Sequence, residues 1–380
     1  MFQRLLDLKS LLEKKSFFLF GPRATGKSFL INYQLGNEAL VIDLLRSDLY
    51  MRLSVNPGLL ESMITDQPHH YVVIDEVQKI PQLLNEVHRL IENKNIRFLL
   101  TGSSARKLRH GHVNLLAGRA WEANLFPLTS REIPEFDLSR YLLFGGLPPV
   151  YASEFPKEEL LAYVNTYLKE EIQAEALVRK IPAFSRFLQM SALTSGTTLN
   201  FSSIASDTGI PVTTVREYYQ ILEDTFIGFM VPAWQKSQKR KAVSTGKFYF
   251  FDIGVRNTLA QISQIDPQSD LYGQAFEHFI ALELRAYISY HRLHESLSYW
   301  QTQQGGNEVD FIIGNSVAVE VKTTNNVSKK HLKGLKYLTE EKICEKYYLI
   351  SHDKINRQEG EIKMIYWKEF LQNLWDGRVI

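Results

Sequence analysis

Eight consecutive residues, Gly21, Pro22, Arg23, Ala24, Thr25, Gly26, Lys27 and Ser28, constrain this chain more than any other stretch. They fit the pattern G-x-x-x-x-G-K-[ST]. The apolar run 17–20 precedes them directly, and a helical pattern opens at Ser28 and Phe29. Strand, glycine-bearing turn and helix N-terminus in that order curl several backbone N–H groups around one anion. Residues 21–29 are therefore expected to hold the phosphates of a nucleotide. Lys27 is expected to reach the β- and γ-phosphates, and the Ser28 hydroxyl to bind Mg²⁺.

A second element points the same way. The apolar run 71–74 ends in Asp75 and Glu76. Ligands of open α/β sheets bind at the carboxyl ends of the strands. Asp75 is expected to hold Mg²⁺ and its water shell, and Glu76 to polarise the attacking water. A third apolar run, 97–100, leads into Thr101, Gly102 and Ser103. Ser103 is a candidate to orient that water, with Thr101 the alternative. Arg119 and Arg106 are candidates for an arginine supplied to the site of a neighbouring subunit, Arg119 being favoured. The short, nearly continuous apolar runs 17–20, 39–42, 71–74 and 97–100 read as buried parallel strands joined by crossover helices. The first region is thus α/β, with helices on both faces.

Charge is nearly balanced, 44 Lys and Arg against 42 Asp and Glu, so any basic surface for nucleic acid has to be local. One cysteine, Cys344, excludes an internal disulfide framework and suits a reducing compartment. No apolar run approaches the length of a membrane span, and residues 1–15 read as a surface helix rather than a leader. A cytoplasmic protein with no membrane partner is expected.

The remaining 245 or so residues exceed one core of ordinary size, as expected from length alone. Residues 136–195 carry Leu and aromatic positions at helical spacing and read as a helical lid. In 196–262, Ser202 or Ser203 caps a short helix ending at Gly209. A second helix opens at Thr213 or Thr214, and two strand-like runs then flank the basic segment 235–241. Helix, turn, helix and hairpin is the order of a winged helix, with Lys236, Lys239, Arg240 and Lys241 in its wing. Such a wing can touch DNA backbone without reading sequence, and such modules also bind proteins.

In 263–380 the pattern returns to α/β. Asp310 on one strand faces a second strand on which Glu320 and Lys322 share a face, because side chains alternate along a strand. Two carboxylates suit Mg²⁺, and a lysine beside them can position a water or offset developing negative charge. Glu277, on a preceding helix, is a further candidate carboxylate.

Taken together, the chain resembles a group of prokaryotic AAA+-like P-loop ATPases that join an ATPase domain to a winged helix and a C-terminal restriction-endonuclease-like domain of PD-(D/E)xK type. The motifs that carry the resemblance are 21–28, 73–76, 100–104, 116–119, 145–148, 247–252, and Glu308-Val309-Asp310 with Glu320-Val321-Lys322. The resemblance implies ATP hydrolysis and oligomer assembly. It implies Glu277, Asp310 and Glu320 as the acidic set of the C-terminal domain, Asp310 and Glu320 as its metal ligands, and Lys322 as its catalytic lysine. Val309 stands where the usual pattern has proline. The fold expected is an α/β P-loop NTPase sheet (1–135), a helical lid (136–195), a winged helix (196–262) and a restriction-endonuclease-like α/β domain (263–380). The expected function is a DNA-associated, ATP-hydrolysing homo-oligomer with a metal-dependent nuclease-like domain, using ATP and Mg²⁺. The alternative is an NTP-driven switch or scaffold for protein partners whose nuclease-like domain does not cleave.

Overall fold

The structure, a computed structural model, describes residues 2–66, 69–102, 116, 118–168, 181–235, 245–302, 307–342 and 344–380. Ser103, Arg106 and the basic residues 236–241 lie outside this set.

The first region is built on β1 (Ser16–Phe20), β2 (Ala39–Asp43), β3 (Tyr71–Asp75), β4 (Arg97–Gly102) and β5 (Ala120–Asn124). All pairs are parallel, in the order β2-β3-β4-β1-β5. Alternation assigns the two faces. Phe17, Leu19, Val73 and Leu99 bury against the helices Leu8–Lys14 and Lys27–Leu35. Phe18, Phe20, Ile74, Phe98 and Leu100 bury against the helix Leu83–Lys94. The parallel α/β sheet read from the sequence is present, and β5 adds a half-exposed edge strand. Because β4 lies between β1 and β3, the glycine-bearing loop after β1 and the acidic pair after β3 flank the end of β4.

The described residues between 138 and 259 are mainly helical. The helices Phe201–Thr208 and Val212–Asp224 precede the antiparallel pair β6 (Gly228–Val231) and β7 (Lys247–Phe250). Asn200 caps the first of these helices by accepting the Ser203 N–H at 3.0 Å. The capping role read into Ser202 or Ser203 therefore belongs one turn upstream. Segments 136–195 and 196–262 do not form separate cores: Leu147, Val150, Phe184 and Phe187 pack with Val215, Tyr219, Leu222 and Phe248 in one cluster.

The last region centres on the helix Asp270–Tyr290 and on β8 (Leu297–Gln301), β9 (Glu308–Ile313), β10 (Val317–Val321), β11 (Lys346–Ser351), β12 (Arg357–Glu359) and β13 (Ile362–Tyr366). The order is β12-β13-β11-β10-β9-β8. β8, β9 and β10 form an antiparallel meander, and β10, β11 and β13 run parallel. Phe229, Val231 and Tyr249 of the middle hairpin share a core with Phe276, Phe279, Phe311 and Val319. The main chain is joined there too. Trp234 N–H donates to Tyr299 O at 2.6 Å, and Tyr299 N–H donates to Pro232 O at 3.0 Å.

Candidate functional site

The loop at 21–26 takes a path that few residue types tolerate. A Cβ on Gly21 would stand 2.4 Å from Leu125 O, and Gly26 has φ +93°. Ala24, at φ 63°, holds a left-handed conformation that costs a non-glycine residue about 1 kcal/mol or more. Such strain persists where surrounding contacts impose it. Here Thr25 is fully buried, its hydroxyl donating to Pro22 O at 2.9 Å. The Tyr163 hydroxyl donates to Arg23 O at 3.4 Å.

Lys27 opens the helix after the loop and is 7% exposed. Its ammonium folds over the loop, donating to Gly21 O at 2.7 Å and Pro22 O at 3.1 Å. Ser28 Oγ donates to Asp75 Oδ2 at 2.9 Å. The structure thus joins the two sequence elements side chain to side chain. Phe29 lies outward, 48% exposed and stacked on Tyr33.

At the end of β3, Asp75 is 7% exposed and also accepts a hydrogen bond from the Thr101 hydroxyl. Thr101 is fully buried, and its oxygen accepts the Glu76 N–H at 3.0 Å. Its place is therefore behind the acidic pair, bracing both residues, rather than facing water. Glu76 adopts φ 60°, ψ 45°, and its carboxylate accepts from the buried Gln78 amide. Gln78 and Thr101 are the residues whose role the sequence left unread: each positions an acid from one strand away or one turn on.

Arg119 lies just before β5, at the end of the sheet remote from the loop. Ser16 pairs with Ala120 and Phe20 with Asn124, so the length of a strand, roughly 13 Å, separates it from its own P-loop. It pairs with Glu92.

The residues expected to hold Mg²⁺ at the first site fit such an ion. A hydroxyl and a carboxylate, both hard oxygen donors, already touch, and the Asp75 oxygens are oriented by Thr101 and Ser28.

A second cluster forms where β7, β9, β10 and the helix Asp270–Tyr290 meet. Asp310 Oδ2 accepts the Val321 N–H at 2.7 Å, while Lys322 Nζ lies 2.5 Å from Glu320 Oε1 and 3.9 Å from Asp310 Oδ2. Glu277 does not join this pair directly. Its Oε1 takes the Tyr249 hydroxyl at 2.5 Å and Lys247 Nζ at 3.1 Å. Lys247, 3% exposed and contributed by the middle hairpin, also lies 2.5 Å from Glu308 Oε1. Nothing in the local sequence around Lys247 announces this role. Four carboxylates then face two ammonium groups, with Asp310, Glu320 and Lys247 buried and Glu308 and Lys322 partly open to solvent. Burial, with Asp310 beside it, pushes the Glu320 carboxyl well up. Burial also pushes Glu277 up, against the pull of Lys247. Glu320 Oε2 is buried without a hydrogen-bond partner. Among the described residues no group of three or more His, Cys, Asp or Glu has metal-holding geometry. The Asp310–Glu320 pair with its spare oxygen suits one Mg²⁺ completed by water, since that ion commonly takes only one or two protein carboxylates.

Asp252 is a third polar centre, fully buried. It caps the helix Ile253–Leu259 by accepting the Val255 N–H at 3.0 Å, and it accepts the Gly146 N–H at 2.7 Å. Burial pushes its carboxyl up to about 6, against those backbone donors. Gly145 lies so close that a Cβ there would overlap the Asp252 carboxylate. The motifs at 145–148 and 247–252 are therefore two halves of one structural lock.

Residues 13–134 match the AAA domain family. Residues 135–266 match a domain of unknown function (DUF8612), and residues 272–370 match another (DUF4143). An uncharacterized protein of Haemophilus influenzae is 24% identical over 243 residues, covering 59% of this chain and 60% of that protein. The uncharacterized protein MJ1637 of Methanocaldococcus jannaschii is 24% identical over 420 aligned residues, covering 94% of this chain and 85% of its own length. No helix among the described residues is long and apolar enough to cross a membrane. The chain thus carries an N-terminal AAA-type, P-loop ATPase-like domain, with a C-terminal region matching DUF4143.

Proposed function

We propose that the chain hydrolyses ATP at the site formed by residues 21–28, Asp75, Glu76 and Thr101. The reading rests on one observation: the Ser28 hydroxyl and the Asp75 carboxylate are in contact, with Lys27 next to Ser28 and Glu76 next to Asp75. In this scheme the loop N–H groups and Lys27 bind the phosphates, exchanging the Gly21 and Pro22 carbonyls for phosphate oxygens. Ser28 and Asp75 would hold Mg²⁺, which would supply neutralisation of phosphate charge. Glu76, oriented by Gln78, accepts a proton from the attacking water. Replacing Glu76 by glutamine is expected to preserve ATP binding and lower kcat by about two to three orders of magnitude, the usual scale of general-base catalysis. Phosphate release by Glu76→Gln at the wild-type rate, in a steady-state assay, sinks Glu76 as the base.

The finer reading is a DNA-associated oligomer. Exposed apolar side chains on two helices, Phe29 and Tyr33 on Lys27–Leu35 and Met51 and Val55 on Ser47–Val55, support contact with a second copy, which is also where Arg119 finds a role. The helix–helix–hairpin order with its basic segment 235–241 supports a winged helix facing DNA. The Asp310, Glu320 and Lys322 set supports a restriction-endonuclease-like domain that cleaves with Mg²⁺. If so, wild type nicks supercoiled DNA with Mg²⁺ or Mn²⁺, and Glu320→Ala loses at least about 100-fold of that activity, the scale of a lost metal ligand. Equal activity, or none in either protein, rejects cleavage. A specific observation favours the alternative, a switch or scaffold for protein partners: Lys247 and Lys322 already occupy Glu277, Glu308 and Glu320. DNA affinity that is absent at low salt decides for it, since real phosphate contacts are strongest there.

A further inference from the structure

We infer that Arg4, outside every motif named above, is a positioning residue for the P-loop and ties that loop to the helix Asp270–Tyr290. The inference rests on the nucleotide-binding reading of residues 21–28 and adds a residue and a coupling to it. The Arg4 side chain is 4% exposed and uses every face of its guanidinium. Nη1 donates to Thr25 O at 2.6 Å. Nη2 donates to Phe126 O at 2.6 Å and to the Tyr290 hydroxyl at 3.2 Å. Nε donates to Glu132 Oε1 at 2.9 Å, and Glu132 is itself fixed by the Leu5 and Thr129 N–H groups.

The contact with Thr25 matters because of peptide geometry. In a trans peptide the C=O of one residue and the N–H of the next point in opposite directions. Arg4 draws the Thr25 carbonyl outward, behind the loop. The Gly26 N–H is thereby aimed the other way, into the concavity where phosphate oxygens bind. Gly26 at φ +93° leaves that peptide free to rotate in the absence of a restraint, and a Cβ there would lie 3.8 Å from Arg4 Nη1. The arginine supplies the restraint with a charge-assisted hydrogen bond.

The same guanidinium holds Tyr290, the last residue of the helix Asp270–Tyr290. That helix also bears Glu277 of the carboxylate cluster, about 20 Å away along its axis. Tyr290 is further held by the Phe126 N–H at 3.3 Å and by its ring against Phe126. A shift of the helix along its axis therefore reaches the Thr25–Gly26 peptide through one side chain. By thermodynamic reciprocity, nucleotide in the loop favours one setting of the helix as strongly as that setting favours nucleotide.

The test is titration of full-length protein with a fluorescent ADP analogue, alongside thermal melting. Tyr290→Phe keeps the ring and removes only the hydroxyl, and is expected to weaken binding by about two- to fivefold, the effect of one hydrogen bond, with a modest fall in melting temperature because the Phe126 N–H loses its acceptor. Arg4→Gln is expected to weaken it by at least about tenfold, the effect of a charge-assisted bond, and Arg4→Lys to recover part of the loss. Arg4→Gln that is folded and binds within twofold of wild type overturns the positioning role. Should Arg4→Gln fail to fold, Tyr290→Phe decides: unchanged affinity overturns the coupling. A wild-type protein that binds no ADP overturns the nucleotide reading and this inference together, an outcome distinct from the variant-specific ones.

Discussion

Lys27→Ala is expected to reduce affinity for ATP and ADP by at least about 100-fold, close to 3 kcal/mol. The ammonium sits in the curve of the loop, 2.7 Å from Gly21 O, and a phosphate oxygen arriving there meets a charged donor rather than a neutral one. Charge-assisted hydrogen bonds to phosphate are roughly twice as strong as neutral ones, and burial at 7% exposure limits screening by water. Alanine also leaves the phosphate charge unbalanced. The helix itself is kept, because alanine is a good helix former at this first helical position, while the Gly21 and Pro22 carbonyls lose the ammonium. Calorimetric titration of the folded variant checks this. An affinity within tenfold of wild type removes the lysine from the phosphate site.

Asp252→Ala is expected to have the largest effect on stability, about 3–5 kcal/mol. Two buried backbone N–H groups, Gly146 and Val255, lose their acceptor, at roughly 1–3 kcal/mol each, the second of these bonds being the helix cap itself. The melting temperature should fall by roughly 5–10 °C at the entropy scale of a domain this size. Asp252→Asn, which keeps one acceptor and the shape, should lose less than half as much. The pH dependence has a definite sign. The folded carboxyl is raised above its unfolded value of 3.8 to about 6. Its contribution is therefore complete below about pH 4 and declines as pH rises through about 6. The gap between wild type and Asp252→Ala should be wider at pH 5 than at pH 8. A variant melting within a degree of wild type at both pH values contradicts the lock.

The parts legible in the sequence share a cause. Residues 21–28 announce themselves because a phosphate loop is local: its glycines, lysine and hydroxyl sit within eight positions. Asp75 and Glu76 are legible because a strand end is. What the sequence hid lies between distant positions. Arg4 and Tyr290 are 286 residues apart, and Lys247 reaches Glu277 across 30 residues and Glu308 from another strand. Thr101 reads as one more small residue at a strand end until its oxygen is seen braced against Asp75 and Glu76. β5 was missed because an edge strand need not be apolar: Trp121 and Glu122 face partly outward. Helix starts shifted for a different reason. Asn200, Ser202 and Ser203 are all competent caps, and only the fold selects Asn200. Pro211 likewise sets the start of the next helix before Thr213.

The seam between Pro232–Trp234 and Tyr299 reaches beyond packing. Because the hairpin lends main-chain hydrogen bonds, core aromatics and Lys247 to the strands that follow it, neither half is a transferable cassette. A chimera that kept residues 272–370 but drew its middle region from an unrelated protein would arrive with an open strand edge and two glutamates stripped of their ammonium. A cut near residue 266 would break the main-chain seam, the shared aromatic core and the lysine–glutamate pairs at one stroke.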